Sequence, residues 1–146
     1  MSADLEARLR TLEDLMEIHQ LFVDYGMHLD AGQFDEYAQL FAKDGEIRLG
    51  PLGKAKGREQ IRATMTTALE GLVGKTFHVI SSPTVRLDGD RATSEVMWTM
   101  IQRSDDGTPD VAMLGRHRDE LVREDGRWRI QVRRGLIDVP STYPGA

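Results

Sequence analysis

Imidazole is the side chain best suited to moving protons near neutral pH, and the chain has four histidines and no cysteine. Without a thiol there is no disulfide, no thiolate nucleophile and no zinc–thiolate site. His19 and His28 read as surface or interface residues, which leaves His78 and His117. Other motifs fail. Gly50-Pro51-Leu52-Gly53-Lys54 lacks the spacing of a nucleotide-binding loop. There is no Gly-x-Ser-x-Gly elbow and no His-Glu-x-x-His pair. A site of two histidines and one carboxylate would suit non-haem iron, but its ligands would come from separate elements with no ligand-spacing signature. The expectation is therefore no metal and no cofactor.

The elements around the two histidines decide where they point. Three Asp-Gly steps, Asp88-Gly89, Asp106-Gly107 and Asp125-Gly126, separate runs rich in β-branched and aromatic residues. This is a hairpin pattern. It predicts four consecutive antiparallel strands over about residues 76–87, 91–103, 111–124 and 127–138. In the last strand Trp128, Ile130, Val132 and Leu136 alternate with Arg127, Arg129, Gln131 and Arg133, so the first set is expected inward. A two-residue turn at Asp125-Gly126 would place Asp119 opposite Val132 and His117 opposite Arg134. His117, Asp119 and Arg134 then share the inward face, and Arg116, Arg118 and Glu120 point out. The first hairpin puts His78, Ile80 and Ser82 on the face of Val96, Trp98 and Met100. Buried polar groups need partners. Such a cluster among apolar residues reads as a binding site or as an internal salt-bridge network. The opposite face, with Phe77, Val79, Met97 and Ile101, is too apolar for bare solvent. Either a second subunit or the third helix would cover it, and a homo-oligomer, dimer or trimer, is the expectation.

The first half of the chain is helical. Leu5, Leu9, Leu12, Leu15, Ile18, Phe22, Tyr25 and Leu29 recur at three- and four-residue steps, a face about seven turns long. A second helix carries Phe34, Tyr37, Leu40 and Phe41 on one side and is expected to stop at Asp44-Gly45. Glu46–Leu49 reads as a short strand. Gly57-Arg58-Glu59 opens a third helix with Ile61, Met65, Leu69 and Leu72 inward, ended by Gly71 and Gly74. Helices first and a meander later predict an α+β fold, in one domain spanning residues 1–146.

The net charge of -5 does not attract phosphate backbones, so nucleic acid is not an expected partner. The first ten residues are charged where a signal peptide needs an apolar run. No apolar stretch approaches the ~20 residues that span a bilayer. A cytoplasmic protein that binds neither membrane nor nucleic acid is the plain expectation.

Several segments together resemble the SnoaL-like family of the nuclear-transport-factor-2-like superfamily. They are Tyr25-Gly26-Met27-His28-Leu29-Asp30-Ala31-Gly32-Gln33-Phe34-Asp35, Leu40-Phe41-Ala42-Lys43-Asp44-Gly45 and Gly57-Arg58-Glu59-Gln60-Ile61. The pattern continues through Thr76-Phe77-His78-Val79, Gly89-Asp90-Arg91-Ala92-Thr93 and Gly115-Arg116-His117-Arg118-Asp119-Glu120-Leu121, to Asp125-Gly126-Arg127-Trp128-Arg129-Ile130. The resemblance implies a cone: a strongly bent antiparallel sheet closed by three N-terminal helices, the cystatin-like arrangement. Relatives include scytalone dehydratase, bile-acid 7α-dehydratase and limonene epoxide hydrolase.

By resemblance to the two dehydratases, Asp30 and His78 form a catalytic pair, Tyr25 assists, and His117 stands where a second histidine acts. The matching region Trp98–Gln102 lacks an acid that the bile-acid enzyme has. The resemblance thus implies a cofactor-independent lyase, foremost a dehydratase. Its substrate would be a small, hydroxylated, mainly apolar ring compound, namely a steroid, polyketide or aromatic. His78 takes the proton, and Tyr25 or a protonated His117 helps the hydroxyl leave. Trp98, Met100, Ile130 and Val132 form the apolar wall, with Asp119 and Arg134 as polar contacts. Release of formaldehyde from a lignin-type aromatic, isomerisation or cyclisation, and non-catalytic binding are the alternatives. By themselves the residues leave other roles open: Asp30 as a turn or capping residue, Tyr25 as packing, His78 as a satisfied core histidine, and His117 with Asp119 and Arg134 as a structural network.

Overall fold

The computed structural model describes residues 2–140. The ends of the expected domain, residue 1 and residues 141–146, lie outside the described residues. Helix α1 (Ala3–Ala31) is capped by Ser2, whose hydroxyl accepts from the Leu5 N–H, and ends at Gly32 in the left-handed region. Asp4 and Glu6 sit in its first turn, where carboxylates suit the helix dipole. Then follow α2 (Phe34–Gln39), β1 (Phe41–Arg48), a single 3-10 turn (Gly50–Leu52), β2 (Lys54–Lys56), α3 (Arg58–Ala68), β3 (Thr76–Asp88), β4 (Arg91–Arg103), β5 (Pro109–Glu124) and β6 (Arg127–Val139). The strands form one curved sheet in the order β2-β1-β6-β5-β4-β3. Every neighbouring pair is antiparallel except β1 and β6. The α+β arrangement and the meander match the sequence expectation.

The second helix is shorter than expected. Phe41 belongs to β1, where it pairs with Ile130, and Leu40 O already accepts from Ile130 N. Phe41 and Ala42 are wholly buried, so sheet pairing and burial end the helix at Gln39, five residues before Asp44 of the Asp44-Gly45 step. That dipeptide falls where the β1–β6 register shifts between Phe41 and Glu46.

The β5–β6 hairpin turns at Asp125-Gly126 as expected, with Glu124 opposite Arg127. The facing beyond Ile130 differs. Leu121 pairs with Ile130 but Glu120 pairs with Val132, so Gln131 is an extra residue in β6. A bulge of this kind reverses the faces of everything after it. Arg133 turns inward opposite Asp119. Val132, Arg134 and Leu136 turn to the outer face, opposite Glu120, Arg118 and Arg116. Ser82 also lies at a shift, between Ser81 and Thr84, with φ of 51°. It therefore does not continue the row of His78 and Ile80.

Helix α1 packs on β3 and β6, whereas α3 packs against α2, β1 and β2. The third helix thus leaves the outer face of the first hairpin bare. Phe77, Val79 and Met97 are exposed there, and Ile101 is half-buried. No helix of the described residues is long and apolar enough to cross a membrane.

Candidate functional site

The last turns of α1 cross β3 at Gly26. A Cβ on that residue would stand 3.3 Å from Ile80 Cγ1 and 3.5 Å from His78 Cβ, so glycine permits the close approach. One turn later Asp30 meets His78. Its carboxylate accepts the His78 backbone N–H at 3.1 and 2.9 Å, and the Nδ1–H at 2.7 Å. A carboxylate on Nδ1 fixes the tautomer and leaves the lone pair on Nε2. That nitrogen makes no hydrogen bond among the described residues, and His78 lines a pocket. The pair is therefore built as an oriented base, with the carboxylate aligning the ring.

Inward-facing rows across β3, β4, β5 and β6 build the floor. His78 opposes Met100, which opposes Met113. Ile80 opposes Trp98, Trp98 opposes Gly115, and Gly115 opposes Ile137. Val96 opposes His117, and His117 opposes Gly135. Each large ring thus faces a glycine. At Gly115 a Cβ would lie 2.5 Å from Trp98 Cζ2 and 2.0 Å from Leu136 O. Any side chain there would displace the indole.

Beneath this floor lies a polar core. Arg133 donates two hydrogen bonds to Asp119, at 2.8 and 2.7 Å, and both side chains are 0% exposed. Ser94 adds a third hydrogen bond to Asp119, at 3.3 Å. The Arg133 guanidinium sits 4.3 Å from the centre of the Tyr25 ring, a favourable cation–π distance. Tyr25 meets His117 Nε2 at 3.4 Å. Burial pushes the Tyr25 hydroxyl up to about 12, so it keeps its proton at neutral pH. Burial also pulls His117 well below its ordinary value, and the charges of Arg133 and His78 add to that. This favours the neutral imidazole and argues against the expected role of a protonated His117 in hydroxyl departure.

The pocket holds about 170 Å³ and is lined by Tyr25, His78, His117, Trp98 and Met100 together with Leu29, Leu49, Leu52, Met65, Ala68, Leu69, Leu72, Met113, Gly135 and Ile137. Of the expected site residues, the structure brings Tyr25, Asp30, His78, His117, Trp98 and Met100 together. It does not place the other four at the cavity. Ile130 is wholly buried in the core, and Val132 is on the outer face. Arg134 also points out, to Glu120 at 3.4 Å. Asp119 faces in but is taken by Arg133. The buried Arg133 was missed, and so were Leu49, Leu52 and Met113. The one signal for Arg133 was Asp119 itself, an inward carboxylate that needed a counter-charge. Among the described residues no three His, Asp or Glu side chains gather closely enough to hold a metal ion.

The SnoaL-like domain model matches residues 10–134. The chain belongs to the SnoaL-like family. An uncharacterized protein of Mycobacterium bovis is 32% identical over 123 residues, 82% of each chain. A nuclear-transport-factor-2-like structure with a cystatin-like fold, from Novosphingobium aromaticivorans, superimposes with a TM-score of 0.89 at 28% identity, covering 97% of this chain and 93% of the other. A protein of the same organism provisionally called a scytalone dehydratase gives a TM-score of 0.73 at 27% identity, covering 87% and 85%. The fold and superfamily implied by the sequence resemblance are those observed.

Proposed function

We propose that this SnoaL-like protein is a cofactor-independent lyase that dehydrates a hydroxylated, mainly apolar ring compound. The observation that carries this reading is the 2.7 Å contact of Asp30 with His78 Nδ1 at the wall of an apolar pocket. Such a pair takes a proton from a carbon activated by a neighbouring carbonyl. The electrons left behind form the double bond as the C–O bond breaks. The departing oxygen takes its proton from the His78 imidazolium formed in the first step, and leaves as water. The likeness to a protein provisionally called a scytalone dehydratase supports the same chemistry. The pocket volume of about 170 Å³ compares with the ~150 Å³ cavity that accepts benzene, which favours a one-ring substrate over a steroid.

The size of the pocket also suits the second reaction, release of formaldehyde from a hydroxymethyl-bearing aromatic, because the same base would serve. Incubating the protein with one-ring hydroxyketones and hydroxymethyl aromatics, and following product mass, tests both. Loss of water is the expected result. Loss of formaldehyde would replace the dehydratase reading, and binding without any mass change would leave a ligand-binding module.

The bare patch of Phe77, Val79, Met97 and Ile101 supports a homo-oligomer in which a second copy covers it. The neighbouring outer charges, Glu95 with Arg116 and Arg118, and Glu120 with Arg134, offer both signs for self-complementary contact. Light scattering on the purified protein should give a mass of two or three chains. A monomer at tens of micromolar would dismiss this assembly.

A further inference from the structure

We propose that the inner end of the pocket is a subsite for an acceptor oxygen, the ketone or phenolate oxygen of the ligand, held by the indole N–H of Trp98 and the Nδ1–H of His117. The proposal rests on the reading of this pocket as a substrate site, and not on the reaction performed there.

Both residues line the pocket, and both are more than nine-tenths buried. Trp98 Nε1 and His117 Nδ1 are two of the buried polar atoms without a hydrogen-bond partner among the described residues. Native proteins leave few such groups unpaired, and those that remain call for an explanation. Their chemical sense is fixed. An indole nitrogen only donates. For His117 the tautomer follows from its neighbour. Among the described residues the Tyr25 hydroxyl makes one hydrogen bond, with His117 Nε2 at 3.4 Å. The Arg133 guanidinium beside it has no acceptor, and the proton that Tyr25 keeps is donated to Nε2. A neutral imidazole carries one proton, and with Nε2 accepting it resides on Nδ1. Two buried N–H donors therefore stand without an acceptor.

The two rings are held as a unit. Their centroids are 5.7 Å apart and their planes are inclined by 28°. Trp98 packs closely on the bare backbone of Gly115, and His117 faces Gly135. Around them Met100, Met113 and Ile137 supply apolar surroundings in which hydrogen bonds are stronger than in water. An oxygen with two lone pairs would satisfy both donors, whereas an ammonium or another donor-only group would satisfy neither. If that oxygen is conjugated to the carbon that loses its proton to His78, the same two N–H groups would hold the charge that develops on it.

The test uses 4-nitrophenol, a one-ring probe whose absorbance reports its ionisation, and nitrobenzene, the same ring without the phenolic oxygen. The native-sequence protein should bind 4-nitrophenol as the phenolate. Its ionisation should move to lower pH, with an affinity at least about tenfold above that for nitrobenzene. Trp98→Phe keeps a ring and removes the N–H. It should lose about tenfold in 4-nitrophenol affinity and most of the spectral shift, with a much smaller loss for nitrobenzene from the reduced ring area. Equal affinity for the two probes, or no binding of either at millimolar concentration, would overturn the subsite. So would full 4-nitrophenol binding by a folded Trp98→Phe protein. If that variant does not fold, the two-probe comparison on the native sequence decides alone. Phenolate binding without turnover of any hydroxyketone would count against the lyase and leave the subsite standing.

Discussion

Truncating Asp119 to alanine will remove about 3–5 kcal/mol of folding stability, the usual consequence of leaving one charge of a buried pair without its partner. Burial alone would pull the Arg133 guanidinium down, but the adjacent Asp119 carboxylate outweighs this and holds it charged. With the carboxylate gone, a fully buried cation would retain only its contact with the Tyr25 ring. A domain of this size has roughly 5–15 kcal/mol in total, so the loss takes a large share. The urea midpoint should drop accordingly. Removing both charges, as Asp119→Leu with Arg133→Met, should restore most of the stability, because apolar replacements of similar volume tolerate such sites. The control is Arg134→Ala. Its partner Glu120 is also exposed, and an exposed pair contributes about 0–1 kcal/mol. Asp119→Ala within about 1 kcal/mol of the parent, or a double variant as unstable as the single, would refute this account.

The contrast between Arg133 and Arg134 marks where sequence reasoning stops. The Asp-Gly turns are local, so the strands and the facing of the first hairpin, apart from Ser82, could be read. His78, Trp98 and Met100 sit on one face as the alternation requires. The same alternation failed in β6 because Gln131 bulges out of the ladder, and one extra residue exchanges the two faces. Nothing local to Gln131 announces it. The bulge is favourable because it delivers Arg133 to Asp119 and removes a buried carboxylate without a partner, a tertiary effect that no strand pattern contains. Phe41 was misplaced for a similar reason: its helical spacing with Tyr37 was real, but pairing with Ile130 prevailed. Asp30 is the opposite case. Its local surroundings, before Ala31-Gly32, fit a turn residue equally well. Only the family resemblance singled it out, since its partner His78 is 48 residues away in the chain.

Replacing His78 with alanine is expected to lower turnover by at least ~100-fold, the scale of general acid–base catalysis. The loss should fall on kcat more than on KM, because the ring acts on the proton in flight and the apolar walls hold the substrate. Asp30→Asn should do comparable damage by a different route. An amide has one oxygen. If that oxygen keeps the His78 backbone N–H, the amide NH2 faces Nδ1, which must then accept. The ring proton moves to Nε2, and the lone pair that faced the substrate is gone. His78 stays in place in this variant but holds the wrong tautomer. The two variants therefore separate the base from its orientation. Both should keep the circular dichroism of the parent and bind 4-nitrophenol at the inner subsite, since neither touches Trp98 or His117. Turnover within about threefold of the parent in both variants would eliminate His78 as the base, leaving the Asp30–His78 contact as a tie between α1 and β3.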